Sequence, residues 1–374
     1  MIDTVRFVIP IQDENIYKIL RYCCDKEQSQ NGEFLFSVLK LNFHTYKMDL
    51  PSYATGLNIQ ILENQINVEG SVPKNLLGNN IQHSQPNDIQ KFIDLIQTSL
   101  EALLNNPPTR INGKNHTEGM VNLIEWGGGA IKLLPPDYWK LQRIDICYNW
   151  HLDTQEQVIA YINAFKRFTD GMKNTTDYQE RGMEIRKKDY KIKLYNKHLE
   201  YLEHDHKKLI KENIEIAQEL IEKSKGVLRF EVGLRKDQIE YEFQVKDRTW
   251  GNLKKFFQDD NKTLELLDKY IQKMTNKFQT KVLTEKEVLR NLQILYGSKM
   301  SLKLWGFYNS LKDKEYLQTI PKKTKASYRK MLKKAQIGLV SEVNLPKLEL
   351  PTYTPTPKRT KETKLKSIWN ILKS

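Results

Sequence analysis

Over the first 80 residues, apolar and polar positions alternate in short runs rich in β-branched and aromatic side chains. Val5-Arg-Phe-Val-Ile9, the run from Glu33 to Phe43, Leu57 to Leu62 and Ile66 to Ser71 each predict a strand. Pro73 to Asn80 is expected to be a loop. After Pro86-Asn87-Asp88 the period lengthens to that of a helix, with Ile89, Phe92, Ile93, Ile96, Leu100, Leu103 and Leu104 on one face. Asn105-Asn-Pro-Pro108 ends it. A strand from Leu141 to Tyr148 precedes a helix opened by Thr154-Gln-Glu-Gln157, a capping-box pattern, with Val158, Ile162, Phe165 and Phe168 as its stripe. The strand 190–196 is expected to run into one long charged helix, 197–224, closed by Gly226, before a strand at 227–235. Beyond residue 246 the pattern is helical over Trp250–Met274, Thr284–Tyr296 and Leu302–Leu311. A last helix has Thr324 as N-cap, Tyr328, Met331, Leu332 and Ala335 as stripe, and Gly338 as C-cap.

Strands interrupted by helices predict an α+β fold, a mostly antiparallel sheet with helices on one face, followed by a helical C-terminal region. The expected division is a 1–245 α+β domain, a 246–344 basic helical region and a 345–374 tail rich in Pro and Lys.

Period-two geometry sorts the charges. In the strand around 141–148, Arg143 and Asp145 share one face and Ile144 and Ile146 the other. In 190–197, Ile192 and Leu194 point to the core, and Lys191, Lys193, Tyr195 and Lys197 point away. In 227–235, Arg229, Glu231 and Arg235 oppose Leu228, Phe230, Val232 and Leu234. Asn67, Glu69 and Ser71 oppose Ile66 and Val68. A half-buried sheet has a solvated, ion-paired face in any case, and that reading competes with a functional one. The repeated Arg-x-Asp and Arg-x-Glu beside a phenol favour chemistry.

Composition narrows that chemistry. A formal charge of +14 over 374 residues points to a polyanionic partner. No run approaches the roughly 18 apolar residues of a membrane span, which favours nucleic acid over membrane. Cys23, Cys24 and Cys147 lack metal-type spacing and fit a reduced, cytoplasmic compartment.

A phenol, with pKa near ~10, is a poor nucleophile at neutral pH unless a cation or base assists it. Lys193 and Lys197 are the local candidates for assisting Tyr195. Asp145, Glu231 and Glu69 offer the hard oxygen ligands suited to Mg²⁺ or Mn²⁺. Arg143 and Arg229, with Arg235, are candidates to grip phosphate oxygens. Attack by Tyr195 on DNA would leave a 5′-phosphotyrosyl link and a free 3′-OH, conserving the bond energy needed to reseal the strand without ATP.

Several stretches together resemble the filamentous-phage replication initiators, the gene II/gene X protein family. They are Met1-Ile-Asp3, Gly78-Asn-Asn80, Arg143-Ile-Asp145, Leu194-Tyr-Asn-Lys-His-Leu-Glu200, Leu228-Arg-Phe-Glu231, Trp305-Gly-Phe-Tyr308 and Ile320-Pro-Lys322. The resemblance implies an HUH-like rolling-circle nicking domain with Tyr195 as nucleophile, a divalent metal, and recognition of a plus-strand origin. It also implies origin duplex and displaced single strand as partners, with host helicase, polymerase and single-strand-binding protein, in the cytoplasm of a bacterial host. A homodimer is compatible with it. Where relatives can carry Gly-His-Asn, this chain has Gly78-Asn79-Asn80, so the resemblance does not carry a histidine metal ligand over to that site; Asn80 is a DNA-binding candidate. A non-catalytic DNA-binding regulator and a conjugative relaxase are the alternative readings.

Other signals are weaker. His204-Asp205-His206 has metal-like spacing, but i and i+2 point apart on a helix. Trp126-Gly-Gly-Gly129 lacks the lysine of a phosphate loop. Tyr190 is the rival nucleophile, yet its parity places it with Ile192 and Leu194 towards the core, and Tyr201, a second candidate, falls in the helix. The acid-free run from Pro321 to Lys334 resembles a recognition helix, with Lys325, Arg329, Lys330 and Lys333 facing DNA; a basic solvated helix is the alternative.

Overall fold

In the computed structural model of the chain, the described residues are 1–25, 37–42, 44–49, 56–105, 110–111, 114–115, 131–169, 174–258, 260–274, 283–311, 314–335, 337, 340–341, 345, 348 and 350. Trp126–Gly129, Gly338 and most of the proline-rich tail lie outside them, as does the side chain of Lys333. The expected α+β class holds, with a large antiparallel sheet and a helical C-terminal region. By contact the chain divides into two compact units, which cut across the expected boundary at residue 245. One comprises Met1–Ile146 with Leu234–Leu264, the other Cys147–Gly233 with Glu265–Leu350.

The first unit carries β1 (Ile2–Pro10), β2 (Ser37–Asn42), β3 (Thr45–Asp49), β4 (Leu57–Leu62), β5 (Gln65–Ser71), the short hairpin β6 (Arg110–Ile111) and β7 (Lys114–Asn115), and the first half of β8 (Lys140–His151). Their order is β2-β3-β4-β5-β1-β8, with antiparallel register in each pair. The helix Asp88–Asn105 buries the whole stripe expected of it, from Ile89 to Leu104. A helix at Glu14–Asp25 adds to the expected elements. Asp13 accepts from the Asn15 backbone N–H at 2.8 Å, and Ile16, Ile19, Leu20 and Cys24 are buried along one face. The segment expected as a loop after β5 is instead the helix Val72–Leu77. Ser71 caps its start, proline sits in the first turn where no N–H partner is needed, and Gly78 closes it at φ 75°.

The second unit continues from β8 through β12 (Val227–Arg235), β11 (Tyr190–Asn196), β10 (Gly182–Arg186) and β9 (Thr175–Asp177), in that order. Strands β9 and β10 are also additions: each is short, and β10 offers only Met183 and Ile185 as an apolar signal. The expected single helix over 197–224 is three: Lys197–His204, His206–Glu212 and Ile214–Ser224. Asn213, extended at φ −154°, caps the last by accepting from the Ile216 N–H, which the uniform charge pattern conceals. A capping box of Thr284 and Glu287 opens the helix Glu285–Ser310, which kinks at Gly297. Helices Lys314–Thr319 and Lys322–Lys334 complete a small core of Val288, Leu292, Leu304, Phe307, Tyr308, Leu317, Leu332 and Ala335, beside the short pair β13 (Leu283–Thr284) and β14 (Val340–Ser341). The last long helix begins at Lys322, so Thr324 lies inside it and is not its N-cap. Leu345 and Leu348, at the start of the expected tail, are buried. Among the described residues no helix is long and apolar enough to cross a membrane.

Candidate active site

The charged strand positions form two groups, one in each unit. In the first, register places Glu69 of β5, Arg6 of β1 and Arg143 of β8 side by side, with Asp145 two residues further along β8 on the same face. Arg143 bridges the acids: Nη1 donates to Glu69 at 2.8 Å, and Nε donates to Asp145 Oδ1 at 3.0 Å while Nη2 reaches the other oxygen. Asp145 is 2% exposed, whereas Arg6, Glu69 and Arg143 are half-buried, so the buried acid sits beneath a partly solvated ion-paired face. A buried carboxylate needs such a partner, and the bidentate guanidinium supplies it. Asp145 and Glu69 are both ion-paired to Arg143. Among the described residues no cluster of three or more His, Cys, Asp or Glu side chains is close enough to hold a metal ion.

The second group surrounds Glu231. The Tyr195 hydroxyl donates to Glu231 Oε2 at 3.2 Å. Lys193 Nζ and Lys191 Nζ stand 3.5 and 3.6 Å from Oε1. Glu231 is 3% exposed, and Tyr195 is half-buried at the edge of the charged patch. Strand β10 closes the other side of β11. Glu184 lies opposite Lys193 and binds Arg186 at 2.7 Å, and Gly182 lies opposite Tyr195. Parity marks Lys191 as part of this face without giving it a role. Glu184 and Gly182 carry no sequence signal of their own, because their strand carries none.

Several expected roles are corrected. Lys197 does not extend the face of Tyr195, because the strand stops at Asn196, which caps the following helix through the Leu199 N–H. Lys197 is fully buried and ion-paired with Glu200 on the next turn. Arg229 is 1% exposed and donates to Cys147 Sγ at 2.8 Å, which withdraws it from direct phosphate contact. Asn80 is buried as well. Lys325 donates to the Leu317 carbonyl at 2.8 Å, so its charge completes a helix C-terminus rather than standing free for DNA. Arg235, Arg329 and Lys330 are exposed, as are Lys322, Lys323 and Lys334 on the same basic helix.

The rival groups are accounted for. Tyr201 is buried, donates to the Ala217 carbonyl at 3.0 Å, and has its pKa pushed up to about 12 by burial and then by the Asp205 charge. The ring of Tyr190 packs edge-on against Tyr270 under the Lys273 ammonium. His198, within the resemblance motif, pairs its Nδ1 with Ser224 Oγ at 2.8 Å and ties two helices together. Its pKa is lowered, first by burial and then by Lys225. His204 and His206 flank a break between helices, where Asp205 is buried and the His206 ring leans on Tyr201.

No curated protein matches the chain. The family model for the N-terminal part of the phage replication-associated protein of gene II type matches residues 1–252, which contain both ion-paired groups and Tyr195. The chain belongs to this family of phage replication-associated proteins.

Proposed function

We propose that this replication-associated protein initiates rolling-circle replication by nicking one strand of origin DNA with Tyr195 and later rejoining it. The supporting observation is the Tyr195 hydroxyl held at 3.2 Å on a buried carboxylate whose other oxygen faces two lysines. Tyr195 Oη attacks the scissile phosphorus, the P–O3′ bond breaks, and a 5′-phosphotyrosyl link forms. Lys191 and Lys193 place positive charge beside the phosphate as negative charge grows on its oxygens. The stored phosphodiester is then attacked by a 3′-OH to restore the strand.

The basic helix Lys322–Lys334 is proposed to dock on duplex DNA through Arg329 and Lys330, joined by its other exposed lysines. Arg235 at the end of β12 adds a further phosphate contact. Mg²⁺ or Mn²⁺, if bound, would supply a Lewis acid beside the phosphate. Asp145 and Glu69 would hold such an ion only after Arg143 lets them go. The site of action is proposed to be the cytoplasm of a bacterial host, with the host replication machinery as partner.

The test is incubation of the protein with supercoiled DNA carrying the origin of its own replicon, in Mg²⁺ buffer. The reading expects a nicked circle and a covalent protein–DNA adduct that Tyr195→Phe abolishes while duplex binding persists. Binding without any nick or adduct in the unaltered protein would instead identify a DNA-binding regulator.

A further inference from the structure

Nucleophilic attack by a phenol requires that its proton go somewhere. We infer that Glu231 is the catalytic base: Oε2 takes the Tyr195 proton as the Oη–P bond forms, and the same carboxylic acid returns it when the strand is rejoined. This rests on the proposed nucleophilic role of Tyr195 and assigns the other half of that step.

Geometry singles out Glu231 among the buried acids near the charged faces. Asp145 is engaged by the Arg143 guanidinium and Glu184 by Arg186. Glu231 meets the phenol through Oε2 and leaves Oε1 to the two ammonium groups. The lysines thus stand beside the other oxygen of the carboxylate and help to hold it in place. The remaining charges around it are consistent with that division. Arg229, two residues along β12 on the same face, is directed to Cys147 on β8, and Glu184 on β10 lies across from Lys193.

An ordinary carboxylic acid is a stronger acid than a phenol, so complete transfer before attack is unfavourable. The transfer is therefore coupled to attack: the O–H bond breaks as Oη–P forms and P–O3′ breaks, and the departing 3′ oxygen takes a proton from water, releasing hydroxide. On rejoining, the 3′-OH gives its proton to hydroxide, and the leaving phenolate takes a proton from the Glu231 carboxylic acid. Protons and electron pairs balance in both directions. The lysines also stabilise the charge that remains on the site once Glu231 is neutral.

The experiment measures single-turnover adduct formation on the same supercoiled origin DNA between about pH 6 and 9, for the unaltered protein, Glu231→Gln, Glu231→Asp and Tyr195→Phe, with duplex binding as the control for folding. Positioned acid–base catalysis contributes about 10²–10⁴-fold, so Glu231→Gln is expected to slow the adduct by that factor. Its residual rate should climb about tenfold per pH unit, because hydroxide must then ionise the phenol, whereas the unaltered protein should depend less steeply on pH. Glu231→Asp should keep the shallower profile at a reduced rate. A Glu231→Gln rate equal to that of the unaltered protein would overturn the assignment while leaving Tyr195 as nucleophile. A reduced rate with an unaltered pH profile would do the same, because it marks a structural role. An adduct that persists in Tyr195→Phe would remove the nucleophile itself, and the inference with it.

Discussion

Gly182 faces Tyr195 across the β10–β11 pair so closely that a β-carbon on the glycine would lie 2.6 Å from the tyrosine Cβ and 2.5 Å from the Leu194 carbonyl oxygen. Its φ of +151° is also a conformation that residues with side chains rarely adopt. The strand that carries Tyr195 is thus seated against bare backbone, and the glycine fixes where the phenol stands.

Gly182→Ala is expected to shift Tyr195 by tenths of an ångström and slow adduct formation about 10–100-fold, since misplacing a reacting group by about an ångström costs ~10²-fold. Duplex binding should remain, because the basic helix is untouched. Single-turnover rates compared with filter-binding affinity check this, and an alanine variant with unchanged rate contradicts it.

Arg143→Leu should destabilise the fold by about 3 kcal/mol, because Asp145 is left charged and buried without its guanidinium. Arg143→Leu combined with Asp145→Asn should recover part of that loss. Denaturant midpoints of the single and double variants measure it; equal midpoints for all three proteins would mean that the bridge contributes nothing.

His198 gives a pH dependence of known sign. Its folded pKa is lowered, so the folded state resists protonation relative to the unfolded chain. Its contribution is complete above the unfolded value near ~6.5 and is lost as pH falls through that value towards the lower folded one. Melting temperatures taken from pH 7.5 down to 5 should therefore drop more steeply for the unaltered protein than for His198→Gln. Parallel curves would refute the lowering of the His198 pKa by burial and Lys225.

Tyr201→Phe should leave adduct formation unchanged and cost about 1 kcal/mol from the missing bond to Ala217. A loss of adduct with normal stability would shift the nucleophile from Tyr195 to Tyr201.

Replacing Arg329 and Lys330 by alanine should weaken duplex binding and reduce the slope of log K against log salt by about 0.9 for each phosphate no longer neutralised. A slope identical to that of the unaltered protein would show that this helix is a solvated surface.

Much of this arrangement is legible because strand parity is local. The pattern in 190–196 and 227–235 puts Lys191, Lys193, Tyr195, Arg229 and Glu231 on polar positions, and the structure joins Tyr195 and both lysines to Glu231. What parity does not encode is distance from solvent or choice of partner. Arg229 and Asp145 read as solvated charges, yet each is covered and bonded to a group on a neighbouring or the same strand, Arg229 to Cys147 and Asp145 to Arg143. Lys197 departs from its expected face because parity ends with the strand, one residue earlier, where Asn196 caps a helix. The metal expectation meets no donor cluster among the described residues for a related reason: the residue types suit a cation, but arginine and lysine occupy the same carboxylates. Gly182 is hard to single out in the sequence because its strand offers only Met183 and Ile185 as an apolar pattern, and the pairing with Tyr195 that gives the glycine its meaning is not local.

The most direct test is of the atom that carries the DNA. The covalent adduct formed on supercoiled origin DNA is digested with nuclease and protease, and the nucleotide-bearing peptide is sequenced by mass spectrometry. A 5′-linked nucleotide on Tyr195, in the peptide spanning Leu194 to Lys197, is expected; a nucleotide on any other residue, or no adduct while nicking proceeds, would rule Tyr195 out as the nucleophile.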